Sequence, residues 1–301
     1  MARPQLRDYL LLHLLILFWG FTSISGVLSS MPAPYLVVYR TGIAFVTLLV
    51  LYPLMSAGGL SVARQSIPGI VLAACMTSLH WTTFFASARV STVSTCLAGM
   101  STTALWTSLL EPLMTGGRFR ASEMVLALVV SMGLVLIFNA DFSMATGLAL
   151  SLVSALACSL FSILNRQLVV RESAFVLTTW EMGIAFLFSL AVLPLLQFAG
   201  LIASARVPLG KGWDWVNILF LAWVCTVFAY TVSVRLMKKF TAFAMNLTVN
   251  LEPVYGILMG LFIFGEKEQR PPMFYIGLLL ILSGVFLHPW MERRAAARAG
   301  S

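Results

Sequence analysis

Apolar runs of roughly 20 residues recur ten times along this chain, and a run of that length is what crosses a bilayer core of about 30 Å. They fall at residues 9–29, 35–56, 68–88, 92–113, 121–139, 145–168, 174–199, 213–236, 241–264 and 272–289. With 60% apolar residues, 10% charged residues and a mean hydropathy of +0.95, the chain carries more apolar surface than a soluble core can absorb. The expected fold class is therefore all-α integral membrane, with ten transmembrane helices numbered here as spans 1–10. Short segments such as Met31-Pro-Ala-Pro34, Gly116-Gly-Arg-Phe-Arg120 and Gly265-Glu-Lys-Glu-Gln-Arg-Pro-Pro272 separate them.

The chain is also written twice. Arg40-Thr-Gly-Ile-Ala-Phe45 returns as Glu181-Met-Gly-Ile-Ala-Phe186, 141 positions later, and Pro53-Leu54 returns as Pro194-Leu195. Cys75, His80 and Arg89 stand opposite Cys225, Tyr230 and Lys239 at a spacing of 150. The boundary near residues 140–145 gives two five-span halves, residues 1–142 and 143–301. Because five is odd, the second half must enter the membrane in the opposite sense, so an inverted five-plus-five repeat is expected.

Charge sets the topology. With a cytoplasmic amino terminus, thirteen Lys and Arg residues fall on inner segments against five outside, which places both termini in the cytoplasm of a bacterial inner membrane. The net charge of +8 then reflects topology and attraction to anionic lipid, not nucleic-acid binding. The first span is expected to stay in the mature protein, since it is long and lacks a small-residue cleavage site. Cys75, Cys96, Cys158 and Cys225 lie inside spans at no metal-ligand spacing. No nucleotide-binding loop or nucleophile with a spaced base is present, and no metal site or cofactor is expected.

An ionisable group inside a span costs at least about 2.5 kcal/mol and is retained where it faces a cavity or a partner. Arg40 in span 2, His80 in span 3, Glu181 in span 7 and Glu252 in span 9 qualify. Arg40 and Glu181 enter from opposite faces, at depths of about 9 and 12 Å, so direct contact between them is not expected. Arg40 suits a substrate carboxylate and Glu181 or Glu252 a substrate amine; the alternative is that Arg40 and Glu181 snorkel to their nearer interfaces. Glu252 stands about 13 residues from both Lys239 and Gly265 and reaches neither interface. It must be protonated, paired or hydrated, which suits a proton-coupling group or a counter-charge for a cation. Thr248 and Tyr255 share its helix face, and Pro253 can bend the span. His80, in Ser78-Leu-His-Trp-Thr-Thr83, and its counterpart Tyr230 suit hydrogen bonding or stacking. Trp19, Tyr39, Trp81, Trp106 and Trp180 lie inside spans and could wall a cavity, although single aromatics are commonly packing. Gly256-Ile-Leu-Met-Gly260 fits close helix packing, and Glu111 is expected to pair with Arg118 or Arg120.

Phe18-Trp19-Gly20-Phe21, Tyr39-Arg40, and Leu251-Glu252-Pro253 with Gly265-Glu266 resemble the EamA family of the drug/metabolite transporter superfamily. The first half departs from that pattern: Thr103 takes the place matching Pro253, and Leu110-Glu111-Pro112 lies nine residues later. The resemblance implies a central cavity lined by spans 1–4 and 6–9, spans 5 and 10 at the periphery, and alternating access. The expected function is a secondary transporter moving a small polar or amphipathic metabolite, foremost an amino acid or similar zwitterion, in the direction of export. Rival readings are a quaternary-amine or cationic-drug carrier of the same fold, and an integral-membrane lipid-modifying enzyme or scramblase. The expected partners are the metabolite and membrane lipid, with proton coupling at Glu252, and both a monomer and a homodimer fit.

Overall fold

A computed structural model of the chain describes residues 4–55, 59–138, 144–255 and 272–299. Among them the secondary structure is helical: α1 (Leu6–Trp19), α2 (Thr22–Leu28), α3 (Ala33–Met55), α4 (Ile67–Val90), α5 (Val93–Met100), α6 (Thr103–Thr115), α7 (Ala121–Phe138), α8 (Ala145–Leu168), α9 (Ala174–Phe198), α10 (Trp213–Leu219), a π-helical segment (Phe220–Phe228), α11 (Ala229–Leu236), α12 (Ala242–Val249) and α13 (Pro272–Ala299). Five continuous stretches are long and apolar enough to cross a membrane: Ala33–Leu54, Arg64–Val90, Ala145–Leu168, Ala174–Phe198 and Trp213–Leu236. Two shorter apolar helices are Ala121–Leu136 and Tyr275–Met291. The ten expected runs are thus not ten unbroken helices. The Gly256–Gly260 packing pattern and the Gly265-Glu266 helix end lie outside the described residues.

The missing continuity has a local cause. Runs 1, 4 and 9 are cut at Gly20-Phe21, Ser101-Thr102 and Asn250-Leu251. At the second cut three consecutive hydroxyls turn back on the backbone: Ser101 donates to the Ala98 carbonyl (2.6 Å), Thr102 to Gly99 (2.7 Å) and Thr103 to Met100 (2.7 Å). Such bonds satisfy the chain outside the regular ladder. At the third cut the Asn250 and Leu251 amides reach only three residues back, to Leu247 and Thr248. Pro253 follows in the first turn of the resumed helix, where its missing N–H does no harm. The π segment has its own hydroxyl: Thr226 donates to the Leu221 carbonyl five residues earlier, at 2.8 Å.

Packing follows small residues, because in lipid apolar side chains gain little from leaving one apolar medium for another. Helices α3 and α9 carry the repeated segment, and each inserts its phenylalanine at the other's glycine. A Cβ on Gly42 would stand 3.0 Å from the Phe186 ring, and one on Gly183 would stand 2.8 Å from Phe45. Three residues forward on α3 correspond to three residues back on α9, so the two helices are antiparallel and the exchange is two-fold. The neighbours repeat it: the Tyr39 hydroxyl donates to the Pro208 carbonyl in the loop after α9 (2.7 Å), and the Trp180 indole donates to the Leu60 carbonyl in the loop after α3 (2.7 Å). Helices α7 and α13 pair closely, with Gly133 against the Gly277 carbonyl and Gly284 against Val130.

Overpacking costs about 1–3 kcal/mol where neighbours must move. Gly42→Val and Gly183→Val are each expected to lower the melting temperature of the detergent-solubilised protein, and by similar amounts. Wild-type melting in either variant would show that the glycine–phenylalanine exchange does not hold α3 to α9.

Candidate functional site

The three helix breaks converge. One cavity of about 100 Å3 is lined by Trp19 and Thr22 at the first break, Met100 and Thr103 at the second, and Asn250, Glu252 and Pro253 at the third. One water needs roughly 10–15 Å3 of such space, so the volume suits several waters or the polar part of a small metabolite. The same cavity is lined by Arg40, His80, Trp81 and Tyr230.

Arg40 reaches it from α3. Its guanidinium lies over the Trp81 ring at 3.7 Å from the centroid, and its Nε donates to the Thr226 hydroxyl at 2.7 Å. The π segment that presents Thr226 thereby supplies a neutral acceptor, and Trp81 supplies a cation–π face. No carboxylate among the described residues lies within salt-bridge distance of Arg40, a side chain only 2% exposed. Glu252 accepts a hydrogen bond from Thr22 at 3.3 Å. Thr248 and Tyr255 do not orient it. Thr248 bonds back to the Ala244 carbonyl, and the Tyr255 hydroxyl bonds His13 Nδ1 at 2.7 Å. The break at Asn250-Leu251 destroys the continuous helix register that would have put Thr248 beside Glu252. Arg40 and Glu252 nonetheless line the same cavity.

His80 is held by Ser154 of α8. Its Nδ1 lies 2.8 Å from the Ser154 hydroxyl and 3.1 Å from the Ser154 carbonyl, while that hydroxyl donates to the His80 carbonyl at 2.9 Å. Nδ1 is then the donor, and Nε2 is left as an acceptor. Tyr230 packs edge-on to Trp81, with centroids 5.8 Å apart, and tilted against Phe161 at 6.0 Å.

Three of the residues singled out in the sequence stand away from this wall. Tyr39 is tied to the Pro208 carbonyl and packs on Trp215 at 5.2 Å. Trp106 is half-buried on α6 outside the cavity lining. Glu181 is fully buried behind Tyr230, whose hydroxyl donates to it at 2.8 Å, and Asn165 donates to the same carboxylate oxygen at 3.2 Å. Neither Arg40 nor Glu181 snorkels, and they do not pair. Span 7 lines no part of the cavity among the described residues, whereas Leu134 of α7, in span 5, does.

Other lining residues gave no signal in the sequence. Asn246 donates to Thr107 at 2.8 Å and accepts from Ser162 at 3.2 Å. Asn250 is 95% buried by its 5% exposure, and its Nδ2 has no hydrogen-bond partner among the described residues. The one available cue was an asparagine two residues before a Glu-Pro pair, where a helix gives way.

One set of helix ends is tied by charge. Glu111 accepts from Arg166 at 2.8 Å and from the first amides of α12, Ala242 at 3.3 Å and Phe243 at 3.0 Å, and not from Arg118 or Arg120 as expected. Glu111 thus meets a cation and a helix amino terminus together, while Arg120 bonds Glu123 at 3.0 Å. Lys239 holds Asp8, just ahead of the first apolar run, at 2.8 Å. That bond, with the Gln5 amide, keeps the Asp8 carboxyl below the ordinary carboxylate range. A group depressed by folding stabilises the fold above its unfolded-state value and loses that contribution as pH falls through its folded-state value. Lys239→Met is therefore expected to lower the melting temperature at pH 7 and to lower it less in acid, below about pH 4. An equal loss at both would contradict the assignment.

No curated protein matches the chain. A solved crystal structure of a protein with 16% sequence identity shares the fold, with a TM-score of 0.74 over 96% of this chain and 99% of that one. Residues 145–288 match the model of the EamA-like transporter family. That stretch contains Leu251-Glu252-Pro253, the segment on which the resemblance mainly rested. With its apolar helices and a match over residues 145–288 to the EamA-like transporter family, part of the drug/metabolite transporter superfamily, the chain is a multi-pass membrane protein, and that match suggests a membrane transporter of small solutes.

Proposed function

We propose that the chain is a secondary transporter of ten spans, built from two inverted halves at residues 1–142 and 143–301, that exports a small zwitterion of the amino-acid type by alternating access. The observation that carries this reading is a pair of opposite charges, Arg40 and Glu252, lining one small cavity while each is hydrogen-bonded by a neutral threonine instead of by the other. A zwitterion supplies the missing partner to both. Arg40 takes the carboxylate, Glu252 the amine, and Trp81 and Tyr230 flank the remainder of the molecule. Glu252 exchanges the amine for a proton when the substrate leaves, which is the coupling role assigned to it. The antiparallel exchange between α3 and α9 supports the inverted halves. So do the breaks at Ser101-Thr102 and Asn250-Leu251 and the hydroxyl caps Thr92 and Thr241, each separated by 149 residues. Inward Lys and Arg density supports cytoplasmic termini in a bacterial inner membrane.

A quaternary-amine carrier would place its cation on an aromatic face. The Trp81 face already holds Arg40, which favours the zwitterion over the cation. A hydrogen bond to a charged group contributes about 1.5–3 kcal/mol, or more than tenfold in affinity. In proteoliposomes screened with amino acids, amines and carboxylates, Arg40→Ala is expected to reduce amino-acid flux at least tenfold. Retained flux of a cationic substrate by that variant would instead assign the cavity to amines. Glu252→Gln is expected to insert normally while losing its response to an imposed pH gradient; wild-type flux at every gradient would remove Glu252 from the mechanism.

Asn250 offers the substrate carboxylate a further donor. An unpaired buried donor costs about 1–3 kcal/mol, so Asn250→Leu is expected to keep or raise the melting temperature while raising the apparent KM several-fold. A lower melting temperature with KM unchanged would make Asn250 a structural residue.

A further inference from the structure

Glu181 is the charged side chain that the substrate cavity does not use. It is fully buried in α9, and among the described residues no lysine, arginine or histidine lies within salt-bridge distance of it. Both of its hydrogen bonds, from Tyr230 and Asn165, fall on one oxygen, Oε2. The other oxygen, Oε1, is buried without a partner. Two more buried oxygens nearby share that condition. Asn165 spends its amide hydrogens on Glu181 (3.2 Å) and Tyr230 (2.8 Å), leaving Oδ1 without a partner. Thr178 lies one helical turn before Glu181 on the same face of α9, and its hydroxyl has no partner either, although that of the adjacent Thr179 bonds back to the Phe175 carbonyl. Asn165, Thr178 and Glu181 are each 0% exposed.

Orphaned buried polar atoms are uncommon in folded proteins, and three oxygens around one carboxylate, with no basic side chain in salt-bridge reach, form a donor set. A proton on Oε1 would serve that oxygen and at most one of the other two. Oxygen-only ligands with a single negative charge match a hard cation of low charge, and oxygen ligands, there backbone carbonyls, coordinate sodium near the mid-plane of other secondary transporters. We infer that Asn165 Oδ1, Thr178 Oγ1 and Glu181 Oε1 form a sodium site between α8 and α9, directly behind the cavity wall. Tyr230 joins the two sites. Its hydroxyl bonds Glu181 and Asn165, and its ring lines the cavity against Trp81, the residue on which Arg40 rests. Filling the ion site fixes Tyr230, and through Trp81 it fixes the guanidinium. The site goes beyond the substrate reading and does not depend on it.

The test needs no substrate. Purified full-length protein in detergent, at constant pH and ionic strength, is melted in sodium chloride, potassium chloride or choline chloride. A ligand bound only by the folded state raises the melting temperature with its concentration. Sodium is expected to raise it above choline in the wild type, and potassium to do so less. Thr178→Val, which keeps shape and removes the oxygen, is expected to weaken the sodium effect at least tenfold in concentration, and Glu181→Gln to abolish it. Equal melting in sodium and choline would overturn the site, as would an equal response to potassium. A response to pH without one to sodium would assign the carboxyl to a proton and overturn it too, and so would a full sodium effect in Thr178→Val. Because Thr178→Val removes no charge, it decides the matter even if Glu181→Gln fails to fold.

Discussion

Within the hydrocarbon core no water waits to bond a stray amide or to solvate a charge, and this constraint orders the whole structure. Each interruption of a helix must be satisfied by protein, and each charge must have a neighbour. The hydroxyls of Ser101, Thr102 and Thr103 meet the first requirement at one break. Thr226 meets both, since it bonds a carbonyl of its own π segment and receives the Arg40 Nε. The cavity lies where these irregular segments gather, because there non-helical backbone faces a space instead of lipid.

The same constraint explains how an arginine and a glutamate occupy one small volume without pairing. Arg40 is fixed by Trp81 and Thr226, and Glu252 is fixed by Thr22. The partners of both groups are thus neutral threonines and a tryptophan face. Glu181 follows a different pattern. It is removed from the cavity by the thickness of Tyr230, and its carboxylate is served on one oxygen only. Of Arg40 and Glu181, matching positions of the repeated segment, the first lines the cavity and the second does not, although their glycine and phenylalanine neighbours make reciprocal contacts between α3 and α9.

The helix ends divide the labour differently. At one side of the molecule Glu111, Arg166 and the amino terminus of α12 are drawn together, and Lys239 bonds Asp8 of α1. Where the chain emerges toward the other face, Asp214 gathers Ser29 and Ser30 at 2.6–3.0 Å, and Arg89 donates to the Gly26 and Ser29 carbonyls. Charge–charge contacts close one side, while hydroxyl and carbonyl contacts close the other.

Hydropathy alone determined that this chain lives in lipid, and the recurrence of Gly42-Ile-Ala-Phe45 as Gly183-Ile-Ala-Phe186 marked the duplication, because packing a helix against its own copy needs the same small and large residues twice. The depth of Glu252 in its apolar run was likewise legible, since reach to an interface is a matter of residue count. Its partner was not. Thr248 and Tyr255 were nearest on an ideal helix, but the turn at Asn250-Leu251 takes Thr248 out of register with Glu252, Tyr255 bonds His13 instead, and Thr22 reaches across from another helix, 230 residues distant. The partition of the charges was equally hidden: whether Arg40 or Glu181 reaches the cavity depends on which side of Tyr230 each helix presents. A periodic pattern encodes a face of one helix, whereas a cavity is a relation among several, and only their packing decided it.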